Sequence, residues 1–501
     1  MIRLITDYLD QTAELYPNKD AFIGQDIKIT FKELQSASRK LGTALIEKGA
    51  FRKPIAILLE KSPKTIVAMM GVAYSGNFYT ILDNKMPLSR MTKILDVLRP
   101  AFIITDLKLQ KVAQQLCLED QIILYEPTLN DIDFNLLELN KRSQAITDSD
   151  VLYVLFTSGS TGIPKGVVIS HRAVISYTEW GSNAFSIDNS IIFGNQTPFY
   201  FSMSVFDIFQ TLRNGCTLYI IPKLLFAFPV KLLQFIKNNG INMIYWVPSA
   251  LCLVSNLKAL GKVDISCLKK VLFAGEAMPA KQFNQWREHL PNTFFANLYG
   301  PTETTDICNY YVVQRKIDNN EPIPIGNPCE NTGMVILNEN NQLAKKNELG
   351  ELCVKGSTLA YGYYANYEKT REAFIQNPLN DKYPETIYRT GDLVRYNNFG
   401  ELVYVCRKDF QIKHMGHRIE LGEIETAISS VDSVDMVCCL YDMKTFKIVA
   451  YYTGTASESF ILEHIKTLLP HYMIPNRWIH LNRFPINLNG KIDRTKLKEM
   501  L

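Results

Sequence analysis

Between residues 7 and 105, helical and strand-like hydrophobic runs alternate with little interruption, and this rhythm limits the architectures open to the chain. Residues 7–16 carry Tyr8, Leu9, Ala13, Leu15 and Tyr16 near helical spacing, and 21–23 and 27–30 read as two short strands. Runs over 31–48, 54–60, 63–75, 78–82, 91–98 and 101–105 continue the pattern. Such alternation predicts an α/β architecture with mainly parallel sheets. With 501 residues, 47% hydrophobic and 21% charged, the chain can bury a large core and is expected to divide into at least two domains. Over 326–364 the composition shifts to short strands with Gly and Asn turns, which predicts a small β-barrel part over about 326–405. The charged triplet Arg407-Lys408-Asp409 follows, and then a final segment with its own strand-helix pattern. The expected division is 1–408 and 409–501.

Charge and cysteine usage exclude several classes. The 54 basic and 50 acidic residues leave a net charge of +4, without the excess a nucleic-acid partner requires, although a mild positive balance favours an acidic protein partner. The start, Met1-Ile2-Arg3-Leu4-Ile5-Thr6-Asp7, lacks a basic region followed by an unbroken apolar segment, and no 18-residue apolar run occurs later. A cytoplasmic protein without membrane insertion is expected. Ten cysteines are scattered without CxxC or Cys/His metal spacing, and the adjacent Cys438 and Cys439 lie in an apolar run, so neither a zinc site nor a disulfide framework is implied.

The chemistry is concentrated in Thr157-Ser158-Gly159-Ser160-Thr161-Gly162-Ile163-Pro164-Lys165-Gly166, which follows the apolar run 151–156. Backbone N–H groups of a Gly-rich turn can form an anion nest, hydroxyls reach phosphoryl oxygens or their metal, and Lys165 adds a point charge. GxxxxGK[ST] is absent, so this is not a Walker loop. Taken alone the cluster reads as a solvated Gly/Ser turn. Later segments change that reading: Asn297-Leu298-Tyr299-Gly300-Pro301-Thr302-Glu303, Tyr388-Arg389-Thr390-Gly391-Asp392, Arg407-Lys408-Asp409, and Asn489-Gly490-Lys491-Ile492-Asp493-Arg494.

With these five segments in this order, nearly the whole chain resembles the adenylate-forming superfamily of acyl-CoA synthetases, peptide-synthetase adenylation domains and luciferases. Within it, the chain looks similar to stand-alone adenylation enzymes that load a carrier protein, such as D-alanine–carrier-protein ligases. The resemblance implies a large N-terminal domain of two α/β subdomains plus a small β-barrel, and a small mobile α+β C-terminal domain. It also implies ATP and Mg²⁺, and a reaction in which a carboxylate attacks the α-phosphorus while pyrophosphate leaves. Charge then accumulates on phosphoryl oxygens, so cations and positioned donors matter more than a strong base.

The resemblance assigns roles residue by residue. Lys491 bridges the substrate carboxylate and the α-phosphate, and Thr157, Ser158, Gly159, Ser160, Thr161, Gly162 and Lys165 hold the phosphates. Tyr299 offers an aromatic face for adenine beside Gly300, Thr302 places a hydroxyl at the phosphates, and Glu303 holds Mg²⁺. Asn297 lies near the adenine edge, with Ala274, Gly275 and Glu276 near nucleotide and substrate. Asp392 accepts both ribose hydroxyls and Arg407 completes the grip. Asp409 is the hinge about which the C-terminal domain turns between half-reactions, carrying Lys491 away, and Gly416 lines the thiol tunnel. Cys406 departs from the glycine that the family usually has before the arginine, which puts the hinge motion rather than the chemistry in question.

The acid itself is less defined. Relatives of peptide-synthetase type bind a substrate α-amine through an aspartate directly after a phenylalanine, but here Ser202 follows Phe201. A hydroxyl cannot neutralise an ammonium. Either the substrate is a hydroxy acid or another small polar acid, or the carboxylate has moved to Asp306, at a pocket-lining position that is often apolar in relatives. Asp207 is a third candidate, placed by alignment away from the pocket and read as structural. Met203, Phe206, Val247, Leu272, Ala274, Leu298 and Ile307 complete the expected lining, and the bulk of Met203 and Phe206 suggests a small acid. The expected function is adenylation of a small amino or hydroxy acid and its transfer to the phosphopantetheine thiol of a separate carrier protein, since no carrier segment follows Lys491. A CoA ligase and a non-catalytic adenylate-fold binding or regulatory protein are the alternatives.

Overall fold

The computed structural model describes residues 2–159, 163–409, 411–443, 445–486 and 492–501, apart from the side chain of Thr495. The chain separates into two compact units, one formed by Met1–Asn84, Arg99–Leu155 and Gly166–Lys408, the other by Lys85–Leu98, Phe156–Lys165 and Asp409–Leu501.

Strand and helix alternate through the first unit as the periodicity predicts. Helix Phe31–Glu47 starts where Thr30 and Glu33 form a capping box, the Glu33 N–H donating to the Thr30 hydroxyl and the Thr30 N–H to the Glu33 carboxylate. Helix Pro63–Tyr74 is buried at every position but Lys64, so its sequence is apolar all round rather than on one stripe. It packs on Phe31–Glu47 closely enough that a side chain at Gly71 would sit 2.9 Å from Leu41 Cβ.

Three sheets follow from this packing. One has six strands in the order Ile122–Leu124, Phe102–Thr105, Pro54–Leu58, Phe78–Ile81, Val151–Thr157 and Lys165–Ser170, with parallel pairing through the first five. A second has nine strands, of which Phe294–Tyr299, Lys270–Phe273, Met243–Trp246, Ile192–Asn195, Thr217–Ile220 and Asp20–Ile23 run parallel. Antiparallel strands close its edges: Asn309–Val312 and Asn327–Pro328 on one side, Lys28–Thr30 on the other. The third is antiparallel, built from Thr332–Leu337, Gly350–Gly356, Thr386–Tyr396, Phe374–Gln376 and Leu402–Arg407, in the stretch expected to form the small barrel. The second unit holds a hairpin, Gln411–His414 with His417–Glu420, and a three-stranded sheet of Val434–Asp442, Lys447–Gly454 and Arg477–His480 around its own core of Ile419, Ile424, Ile428, Ile448 and Ile461. The ten cysteines are thiols not joined in disulfides.

His171 opens helix His171–Ala184, is 1% exposed, and its Nδ1 accepts the Ile5 N–H at 3.2 Å. Burial pulls its pKa down to about 4, although Asp150, Asp7 and Asp148 act the other way. As pH falls below 6.5 the unfolded chain takes up the proton first, so this contribution to stability is complete above 6.5 and is lost progressively towards 4. Between pH 7 and 5 the loss is expected to reach roughly 2 kcal/mol. Urea midpoints across that range check it: the pH slope should shrink in His171→Gln, and an unchanged slope would remove His171 as the cause.

Candidate active site

The C-terminal end of strand Phe294–Tyr299 positions the first group. Tyr299 donates its hydroxyl to Asp392, and strand pairing sets Asp392 directly opposite Arg407. Arg407 Nη1 donates to Asp392 Oδ1 at 2.9 Å and to the Thr390 carbonyl at 2.8 Å, with the two side chains 11% and 3% exposed. Gly391, at φ +72°, is required because a side chain there would meet the Arg407 guanidinium at 2.7 Å. Burial first, and then the Asp392 charge, pushes the Tyr299 phenol well above its ordinary range, so it remains a hydrogen-bond donor. Asn297, one turn of the pleat earlier, is buried and donates to the Pro324 carbonyl at 2.7 Å.

The loop after this strand carries the second group. Glu303 lies in the short turn Thr302–Thr304, is fully buried, and accepts the Tyr363 hydroxyl at 2.7 Å. Thr302 donates to Ser202 at 3.3 Å, which joins the two hydroxyl positions. Gly275 has φ +92° and stands 3.2 Å, measured to a would-be side chain, from Met203 Sδ and 3.7 Å from Val247 Cγ1. Glu276 accepts the Ser249 N–H at 3.0 Å near the start of helix Pro248–Asn256. Met203, Phe206, Val247, Leu272, Ala274, Leu298 and Ile307 are all buried, Ser202 is 8% exposed, and Phe201 packs partly buried against the same core.

Asp306 forms a third group. Its Oδ2 accepts the Tyr177 hydroxyl at 2.7 Å and the Tyr245 hydroxyl at 3.0 Å, and the residue is 2% exposed. The chain reaches this place through a constrained turn. A side chain on Gly300 would lie 2.1 Å from the Asp306 carbonyl oxygen, and Thr305 adopts φ +72°, ψ −55°, a γ-turn conformation that a β-branched residue rarely holds. The Thr305 hydroxyl is tied to the Thr358 carbonyl at 2.8 Å. Tyr177 and Tyr245 both flank the Phe206 ring, at 6.0 and 5.3 Å between centroids. Burial, reinforced by the Asp306 charge, raises both phenols well above their ordinary range.

Asp207 is placed differently. It is fully buried in helix Ser204–Asn214, its Oδ2 accepts Asn195 Nδ2 at 2.8 Å, and its Oδ1 has no hydrogen-bond partner. Burial pushes it up to about 8 and pulls Lys61 down to about 7, each partly opposed by the other's charge.

In the second unit, Ser158 donates to the Arg418 carbonyl at 2.7 Å and accepts the Glu420 N–H at 3.2 Å, and Lys165 Nζ lies 3.5 Å from Glu420 Oε1. A side chain at Gly159 would lie 2.0 Å from the Ile163 carbonyl oxygen, so only glycine fits there. Thr157 donates weakly to the Lys165 carbonyl at 3.5 Å. Asp409 Oδ1 accepts the Gln411 N–H at 3.1 Å, and Gly416, at φ +80°, makes the hairpin turn with Met415 at φ +52°. Ser160, Thr161, Gly162 and Lys491 lie outside the described residues.

The structure thus brings Tyr299, Asp392 and Arg407 together, and Ser202 with Thr302. It adds partners that no motif announced: Tyr363 for Glu303, Tyr177 and Tyr245 for Asp306, and Glu420 for Lys165. Tyr177 and Tyr245 sit among apolar residues in a helix and a strand, where sequence alone reads them as core.

The AMP-binding enzyme family matches residues 9–364. Zwittermicin A synthase ZmaJ of Bacillus cereus is 31% identical over 493 residues, covering 96% of this chain and 92% of ZmaJ. The D-alanine–D-alanyl carrier protein ligase of Bacillus cytotoxicus is 30% identical, covering 98% of each chain. Among solved structures, the Vibrio cholerae adenylation domain AlmE, in complex with glycyl-adenosine-5'-phosphate, superposes with a TM-score of 0.85 at 22% identity over 99% of this chain and 97% of its own, which shows a shared fold. The chain belongs to the family of AMP-binding enzymes and is an adenylate-forming enzyme. Enzymes of this class are AMP-forming ligases that use ATP. No described helix is long and apolar enough to cross a membrane.

Proposed function

We propose that this enzyme adenylates a small amino or hydroxy acid with ATP and transfers the acyl group to the phosphopantetheine thiol of a separate carrier protein. In the first step a carboxylate oxygen of the acid bonds to the α-phosphorus and the bond to the pyrophosphate oxygen breaks. In the second the thiol sulfur bonds to the acyl carbon, AMP leaves, and the thiol proton passes to solvent.

The observation that carries the reading is the buried Tyr299–Asp392–Arg407 set. An ionised carboxylate fixed by a phenol and a guanidinium is pre-organised to accept two vicinal ribose hydroxyls. Asn297 and Tyr299 hold adenine, Gly275 and Glu276 border nucleotide and acid, and Thr157 to Lys165 with Thr302 receive the phosphates. The pocket for the acid is lined by Phe201, Ser202, Met203, Phe206, Val247, Leu272, Ala274, Leu298, Asp306 and Ile307. Lys491 stabilises charge on the carboxylate and α-phosphate, Asp409 is the hinge between half-reactions, and Gly416 borders the thiol's path. Mg²⁺ sites on nucleotides take one or two carboxylates and complete their shell with phosphates and water, and the single buried Glu303 suits that mode. Bound there, the cation would neutralise developing phosphoryl charge. A carrier as acceptor is supported by the similarity to a D-alanine–D-alanyl carrier protein ligase.

Carboxylate-dependent ATP–pyrophosphate exchange tests the reading. Exchange is expected with at least one small acid in a panel of D- and L-amino acids and hydroxy acids, and exchange with none would overturn it. Thioester formation with purified carrier but not with CoA is then expected; the converse result would make the enzyme a CoA ligase.

A further inference from the structure

We infer that Asp207 is a neutral carboxylic acid whose Oδ1–H donates to Asn195 Oδ1, and that this acid–amide pair positions the segment 196–203, which carries one wall of the acid pocket. That Phe201, Ser202 and Met203 border an acid rests on the adenylation reading above; the protonation of Asp207 does not.

The hydrogen bonds around the pair are the first observation. Asp207 is fully buried, and its Oδ2 accepts one N–H of Asn195 at 2.8 Å, while Asn195 Nδ2 also reaches Thr197 Oγ1 at 3.4 Å. Both donors of the amide are thus used. Two oxygens are left over, Asn195 Oδ1 and Asp207 Oδ1, each buried and each without a hydrogen-bond partner among the described residues. They belong to the same two side chains that the 2.8 Å bond already joins. Two orphaned acceptors on bonded partners lack only a hydrogen, and a proton on Asp207 Oδ1 supplies it. The acid and the amide then meet through two hydrogen bonds in one closed ring, N–H to Oδ2 and O–H to Oδ1.

Charge argues the same way. A fully buried carboxylate needs a countercharge in contact or a full set of donors, and Asp207 has one neutral N–H. Burial, the largest influence on the group, raises it to about 8; the Asn195 hydrogen bond and the Lys61 charge act the other way, and the Asp306 charge adds to the rise. Lys61 itself is engaged next to the pair, its Nζ donating to the Gln196 carbonyl at 3.1 Å. The acid form is therefore the resident one at neutral pH.

The place of the pair gives it a task. Asn195 is the last residue of strand Ile192–Asn195, and Asp207 lies in the first turn of helix Ser204–Asn214. The segment 196–203 spans them, so the pair ties its two ends together. Within this arrangement the Ser204 hydroxyl donates to the Phe201 carbonyl at 2.7 Å, and the Phe206 ring, one residue before Asp207, packs against Tyr177 and Tyr245 with centroids 6.0 and 5.3 Å away. Ionisation gives the proton to solvent and sets two acceptor oxygens against each other. The tie between strand end and helix start then weakens, and Phe201, Ser202 and Met203 lose their fixed place.

Infrared difference spectra of the ligand-free enzyme, wild type minus Asp207→Asn, read the proton directly. A protonated-carboxyl C=O band is expected at pH 7, giving way to carboxylate bands as pH rises through about 8. ATP–pyrophosphate exchange reads the consequence. Between pH 7 and 9 the wild-type KM for the acid is expected to rise about tenfold with KM for ATP unmoved, because one buried hydrogen bond is lost. In Asp207→Asn the amide keeps both bonds, its N–H taking the place of the O–H, so KM for the acid should stay near the pH 7 value across that range. Asp207→Leu can make neither bond and should raise it about 30-fold at every pH. No protonated-carboxyl band in the difference spectrum at pH 7, or the same pH profile of acid KM in wild type and Asp207→Asn, would overturn the inference. Exchange with no acid at all would remove the adenylation reading and the pocket role with it, while the spectrum, which needs no turnover, still decides the protonation of Asp207.

Discussion

Asp392→Asn is expected to lower kcat/KM for ATP roughly 1000-fold in pyrophosphate exchange, the largest effect of any substitution outside the phosphate loop and Lys491. The carboxylate is 3% exposed and opposes Arg407 across a strand pair. Its proposed task is to accept two ribose hydroxyls, and each charge-assisted hydrogen bond is worth about 2 kcal/mol. Losing two of them, at 1.4 kcal/mol per tenfold, gives the stated factor. The amide also turns an N–H toward Arg407 or Tyr299 and takes the Asp392 charge away from a guanidinium that is only 11% exposed. A fall in melting temperature is therefore expected too, and it has to be separated from the loss of ribose recognition. Dideoxy-ATP makes the separation. The wild type should lose roughly the same factor on the dideoxy nucleotide, whereas the variant should lose little more. Full additivity of the two changes would show that Asp392 does not touch the ribose. Tyr299→Phe, which removes one donor and keeps the charge, should cost about tenfold.

How far the sequence reveals the site depends on how local each signal is. The capping box at Thr30 and Glu33 and the alternation over residues 7–105 are local, and the helices and strands stand where the pattern places them. The segments around Tyr299, Asp392 and Arg407 are also legible as segments. That they share one hydrogen-bonded cluster is a consequence of the register Asp392 opposite Arg407 and of Gly391 leaving space for the guanidinium, neither of which sequence spacing encodes. Asp306 stands out in the sequence as the one charge in Thr304-Thr305-Asp306-Ile307-Cys308, but its donors do not stand out. Tyr177 lies in helix His171–Ala184 and Tyr245 in strand Met243–Trp246, and aromatic residues on buried faces look like packing until their hydroxyls are seen to converge. The positive φ of Thr305 is invisible for a stronger reason. Composition predicts such backbone at glycine or asparagine, whereas here a threonine adopts it, with its hydroxyl bonded to the Thr358 carbonyl and the chain packed closely on Gly300. The Glu420 partner of Lys165 is equally unreadable, since 255 positions separate two residues that meet through the Ser158 turn.

Glu303→Gln is expected to reduce kcat for adenylation roughly 100- to 1000-fold and to raise the Mg²⁺ concentration needed for half-maximal rate. The residue is fully buried, so its charge is worth more to a nearby cation than a surface carboxylate would be. Glutamine keeps the shape and the capacity to accept from Tyr363 at one oxygen, but it exchanges the second acceptor for a donor that repels a cation. Packing is therefore nearly conserved while the ligand field is not. Tyr363→Phe supplies the contrast: it removes the 2.7 Å hydrogen bond that orients the carboxylate without touching its charge, and should cost about tenfold with the Mg²⁺ dependence little moved. A metal-holding role requires the two variants to differ in that dependence. If both lose rate equally and both keep the wild-type Mg²⁺ profile, Glu303 acts by bracing the turn Thr302–Thr304 through Tyr363, and the cation is held elsewhere.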